Sequence, residues 1–88
     1  SFGWILDIAR CIYTLRTGKI IAKTDAGKWA LENNLCPVPD ALKIALKVRK
    51  SPLEFKKDKS TLDYAGMLGE PIQKFADVLK QELKRNEV

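Results

Sequence analysis

Near the start of the chain, Trp4, Ile5, Ile8, Cys11, Ile12 and Leu15 recur at helical spacing, while Asp7, Arg10 and Thr14 share the opposite side. This pattern predicts an amphipathic helix from about Gly3 to Arg16, ended by Thr17-Gly18. Gly18 suits the left-handed residue that closes a helix, and Arg16 suits the negative end of its dipole. Leu6 and Tyr13 lie off the main stripe, so the helix is expected to touch neighbours on two sides. A second, shorter helix is predicted from Lys23 or Thr24 to about Asn33, with Asp25 in its first turn and Ala26, Trp29 and Ala30 on its inner face. Asn33-Asn34 stops it.

Pro37 and Pro39 stiffen the next loop, and Pro39 is suited to open a third helix running to about Lys50, where its missing N–H costs nothing. Leu42, Ala45, Leu46 and Val48 are expected to face inward, Lys43, Lys47 and Lys50 form an outer basic stripe, and Arg49 projects close to Leu42 on the apolar side. Ser51 to Ser60 reads as a loop anchored by Leu53 and Phe55. Ser60 with Asp63 offers a weak cap for a short helical segment to about Leu68. The last helix is predicted to begin near Glu70, take Pro71 in its first turn and bury Ile72, Phe75, Ala76, Leu79 and Leu83. No alternating β-branched run competes. The expectation is one all-α domain, a compact array of about four main helices.

Composition narrows the classes of function. A chain of 88 residues has room for a single core, and 45% hydrophobic with 31% charged residues is globular composition. No apolar run approaches the roughly 20 residues of a membrane span, so a soluble, cytoplasmic protein is expected. Ser1 in place of Met suggests a piece of a longer protein, or a chain left by processing or tag removal. With no His and only Cys11 and Cys36, a zinc site of four Cys and His ligands cannot be assembled. Reduced thiols suit the two cysteines better than a disulfide scaffold, a disulfide being the lesser alternative. The lack of His also removes the commonest general base and the Ser-His triad. Asp25, Glu32, Asp40, Asp58, Asp63 and Asp77 are scattered singly, without the D-x-D pair that holds two Mg²⁺ ions. A complete active site is therefore not expected in this chain alone.

What remains is basic. The link between the first two helices offers Lys19 and Lys23, followed by Lys28, and the net charge is +5. Lys23 stands beside the start of the second helix, where free N–H groups and the dipole favour an anion. Ala26-Gly27-Lys28 resembles a phosphate loop only in outline: Ala22 replaces the earlier glycine and Trp29 replaces the Ser or Thr. Trp29 is expected in the core rather than as a stacking platform, and Trp4 likewise. The Lys43 stripe carries no interleaved aromatic, which favours a solvated face over a nucleic-acid contact. Arg49 either pairs with a carboxylate or faces a cleft.

From Ala9 to about Val48, the residues A-R-C-I-Y, T-G-K-I at Thr17 to Ile20, Lys23, and W-A at Trp29-Ala30 followed by Glu32 form a pattern. That pattern resembles the C-terminal helical domain of the streptomycin/spectinomycin adenylyltransferases, a branch of the aminoglycoside nucleotidyltransferases. A weaker similarity continues through P-I-Q-K-F-A-D-V-L-K-Q-E-L at Pro71 to Leu83, with Ser51 to Gly69 poorly matched. The resemblance implies a domain that closes over a cleft whose N-terminal nucleotidyltransferase domain carries a Gly-Ser motif and the acidic residues for Mg²⁺ and ATP. This chain has neither Gly-Ser nor D-x-D. ATP and Mg²⁺ are thus expected in the full-length parent and not on this chain by itself, which is expected to be inactive.

The same resemblance implies that Lys23 contacts the ATP phosphates, with Lys19 beside it. The family's aromatic nucleotide contact falls near Arg49, where no Tyr occurs, so either Arg49 substitutes or the contact is absent. The main aminoglycoside contacts are implied to lie upstream of the first helix, mostly outside the chain. The leading expectation is therefore the helical accessory domain of an adenylyltransferase that joins AMP to a hydroxyl of an aminoglycoside-like molecule, as in bacterial antibiotic resistance. The rival is a small basic helical module that binds nucleic acid or a protein through the Lys43 face. A third reading is a helical domain whose basic lip binds nothing, and the isolated chain is open to homodimerisation through any undocked face.

Overall fold

The computed structural model describes residues 2–51 and 59–86, which form five helices and no strand among the described residues. They are α1 (Phe2–Thr17), α2 (Lys23–Glu32), α3 (Pro39–Lys50), α4 (Lys59–Gly66) and α5 (Gly69–Asn86). The four longer ones are those the periodicity predicts, and α3 starts at Pro39 as expected for a proline in a first turn. The anchors Leu53 and Phe55 lie outside the described residues. α4 takes in Lys59, so Ser60 falls within the helix rather than before it as a cap.

Helix α1 is the central element and packs on α2, α3 and α5. The turn after it is tied down by its own residues. Gly18 has φ of 73° and donates its N–H to the Thr14 carbonyl at 2.8 Å. The Thr14 hydroxyl donates to the Lys19 carbonyl at 2.9 Å, and the Lys19 N–H donates to the Thr17 hydroxyl at 3.1 Å. After α2, Asn34 takes a positive φ of 54° and the Leu35 N–H returns to the Ala30 carbonyl at 3.0 Å. This is the helix stop that Asn33-Asn34 predicts.

The core gathers Ile5, Leu6, Ala9 and Ile12 of α1, Ala26 and Ala30 of α2, Ala41, Leu42 and Ala45 of α3, with Cys36, Leu68 and Phe75. α2 comes close to its neighbours because Gly27 has no side chain: a Cβ there would lie 2.7 Å from Leu46 Cδ2 and 3.0 Å from Leu6 Cδ2. Gly27 is thus a packing glycine. α4 covers the start of α1, with Tyr64 stacked on Phe2 at 6.3 Å between ring centroids.

Three expectations about burial are corrected. Trp4 is 65% exposed, Cys11 is exposed, and Leu83 is 45% exposed. The cause in α1 is rotational. Apolar residues cover more than half of its circumference, and its three neighbours bury the Leu6 and Ala9 side, leaving Trp4 and Cys11 at the open edge. Trp29 is half-buried and set edge-on against Tyr13, with centroids 5.1 Å apart and planes at 88°. Its placement beside the core agrees with the sequence.

Among the described residues no helix is long and apolar enough to cross a membrane. Cys11 and Cys36 are both free thiols. Burial pushes the Cys36 thiol up from its ordinary pKa of 9.0, opposed in part by a backbone hydrogen bond from Val38.

Candidate functional site: a cationic pair at the open face of the first helix

The chain reversal at Gly18 carries Lys23 back alongside the first half of α1. There Lys23 Nζ meets Asp7 Oδ1 at 2.9 Å. One turn along α1, Arg10 Nη1 approaches the same Asp7 oxygen at 3.8 Å. Two cations from different helices therefore converge on one carboxylate oxygen, and the three formal charges leave a local excess of one positive charge. Lys23 is the more covered partner, its side chain 24% exposed against 46% for Asp7. Its position at the first residue of α2 places it at the positive end of that helix, whose N-cap Ala22 offers no side-chain acceptor.

Asp7 and Arg10 line an open groove of about 530 Å³ between α1 and α5, with Cys11, Thr14 and Leu15 from α1 and Leu79 and Leu83 from α5. One end is charged and the other apolar. Below it, the two helices are joined by Arg16, whose Nε donates to Glu82 Oε1 at 3.1 Å and whose Nη2 comes closer still. Glu82 is only 6% exposed and also meets Arg85 at 3.5 Å. A carboxylate this covered is retained because two guanidiniums neutralise it.

The residues singled out in the sequence separate in space. Lys23 is joined to Asp7 and Arg10, which sequence reasoning set aside as the polar side of the first helix. A faint signal existed: opposite charges three apart, Asp7 and Arg10, on the side of α1 away from its apolar stripe. Lys19 is exposed in the link, its backbone held by Thr14 and Thr17, and it does not line the groove. Lys28 is exposed on α2. Arg49 is exposed and borders a separate hollow of about 240 Å³ with Phe2, Gly3, Leu6, Ala45 and Val48. Lys43, Lys47 and Lys50 are exposed along α3.

The donor set decides what this face can hold. Among the described residues no three His, Cys, Asp or Glu side chains gather where a metal ion would sit. Arg10 lines the groove, and Lys23, which does not, reaches it only through Asp7; together they offer one guanidinium and one ammonium, a planar fork and a compact point charge that suit phosphate oxygens. The arrangement can bind an anion and stabilise negative charge that develops near it.

A family model described as "Aminoglycoside adenylyltransferase, C-terminal domain" matches residues 2–82, from the start of α1 into α5. Neither the curated proteins nor the solved structures gave a match to the chain. The matched stretch spans Ser51 to Gly69 as well, the part in which the resemblance by motif is poor. A C-terminal domain of an adenylyltransferase implies an N-terminal catalytic domain as its partner. By this match, running through every described helix, the chain belongs to the aminoglycoside adenylyltransferase family as its C-terminal domain.

Proposed function

We propose that the whole chain is the helical domain that closes over the catalytic cleft of a bacterial, cytoplasmic adenylyltransferase, which moves AMP from ATP to a hydroxyl of an aminoglycoside-like small molecule. ATP with Mg²⁺, held chiefly by the N-terminal domain, supplies the AMP group. The observation that carries this reading is the convergence of Lys23 and Arg10 on one oxygen of Asp7, a residue that lines an open groove. That geometry suits the oxygen of a phosphate.

In the reaction, the substrate hydroxyl oxygen bonds to the α-phosphorus, the bond to pyrophosphate breaks, and negative charge grows on the departing phosphates. Lys23 and Arg10 hold those phosphates in place and neutralise that charge, an effect that grows in the transition state because charge is developing there. Lys19, exposed in the link, raises the local potential. Arg49 offers its guanidinium from α3, at a different hollow, in place of the aromatic contact it succeeds. The hydroxyl's base and the metal ligands belong to the partner domain.

The test is product formation. The full-length parent, given ATP, Mg²⁺ and a panel of aminoglycosides including streptomycin and spectinomycin, is expected to release pyrophosphate and give an adenylylated drug. Turnover of none of the panel, with the nucleotide left intact, would remove the aminoglycoside reading.

A further inference from the structure

Asp7 Oδ1 stands at the point where the two cations converge, 2.9 Å from Lys23 Nζ and 3.8 Å from Arg10 Nη1. This is the place a phosphate oxygen would take. The carboxylate is also the more exposed member of its pair with Lys23, at 46% against 24%. An ion pair serving only to pin Lys23 gains most when its carboxylate is sheltered, since exposed pairs of this kind contribute little to stability. Here the carboxylate lies on the wall of the groove, within reach of whatever enters it.

We infer that Asp7 is a specificity-determining residue: an internal anion that occupies the phosphate position and is displaced only by a ligand of higher charge. The inference rests on the reading of Lys23 and Arg10 as phosphate contacts. With Asp7 in place the cluster offers a net charge of +1, enough to draw a polyphosphate and too little to hold a singly charged anion against water. Removing the Asp7 charge doubles that offer. A unit charge about 5 Å from the bound anion, in surroundings between water and a protein surface, changes affinity by about 3- to 20-fold for each charge it meets. Asp7 also keeps Lys23 and Arg10 together when no phosphate is present, so little reorganisation is needed when one arrives.

The direction of one effect separates this role from a structural one. The chain and its Asp7→Asn and Lys23→Ala variants are titrated with sodium tripolyphosphate and, separately, with sodium acetate at low ionic strength, followed by amide chemical shifts. Asp7→Asn is expected to bind tripolyphosphate ~3- to 20-fold more tightly than the wild type and to acquire acetate binding. Unchanged or weaker binding by Asp7→Asn, while Lys23→Ala reduces it, would leave the phosphate reading standing and overturn the role of Asp7. If Lys23→Ala changes nothing, or the wild type binds no tripolyphosphate, the phosphate reading and this inference fall together. Asp7→Ser, which also removes the charge, replaces Asp7→Asn if thermal melting shows the latter unfolded, and Asp7→Glu is expected to restore wild-type affinity.

Discussion

Arg16 of α1 and Glu82 of α5 are sixty-six positions apart and share a two-pronged contact on one carboxylate oxygen. It ties α5 to the central helix α1. Glu82→Ala removes the carboxylate that both Arg16 and Arg85 approach. Because Arg16 is partly exposed, water recovers some of the loss, and a cost of about 1–3 kcal/mol is expected in urea unfolding. Glu82→Gln, which keeps one acceptor, should lose less.

Gly27 makes a second stability prediction, because helix propensity and packing pull in opposite directions there. Alanine is favoured over glycine inside a helix by about 1 kcal/mol. A Cβ at that position meets Leu46 at 2.7 Å and Leu6 at 3.0 Å, the first partly buried against the core and the second within it. Overpacking of this kind costs about 1–3 kcal/mol, so Gly27→Ala is expected to lower stability by about 1 kcal/mol net. A rise in the denaturation midpoint would show that Leu46 moves aside freely.

The thiols should separate by reactivity and by pH. Cys11 is exposed and is expected to react with a thiol reagent at once, whereas Cys36 waits on opening of the fold. Burial raises the folded pKa of Cys36 above its ordinary value of 9.0. Its contribution to stability is then full below that value and declines as pH rises through the folded pKa, since the unfolded thiol loses its proton first. Cys36→Ala, also apolar, should flatten that alkaline decline in melting temperature.

How far the sequence carried depends on which question is asked of it. The span of α3 was legible because Pro39 can only open a helix and Leu42, Ala45 and Leu46 repeat at its period. Gly18 was legible because a helix end needing positive φ has few candidates. The rotation of α1 was not: an apolar arc running from Trp4 and Cys11 round to Leu6 gives no single centre, and only the placement of α2, α3 and α5 selects the buried side. Lys23 stood out by charge and resemblance. Asp7 did not, because its meaning depends on a lysine brought back by a turn, and a carboxylate on a polar helix side is ordinary until that turn is drawn.

The central claim is that Lys23 serves the nucleotide phosphates. It is tested most directly by kcat/KM for ATP in adenylylation by the full-length parent, comparing wild type with Lys23→Ala. Loss of a charge-assisted contact worth about 1.5–3 kcal/mol predicts a fall of roughly 10- to 150-fold, with Lys23→Arg intermediate. An unchanged kcat/KM in Lys23→Ala would contradict the account.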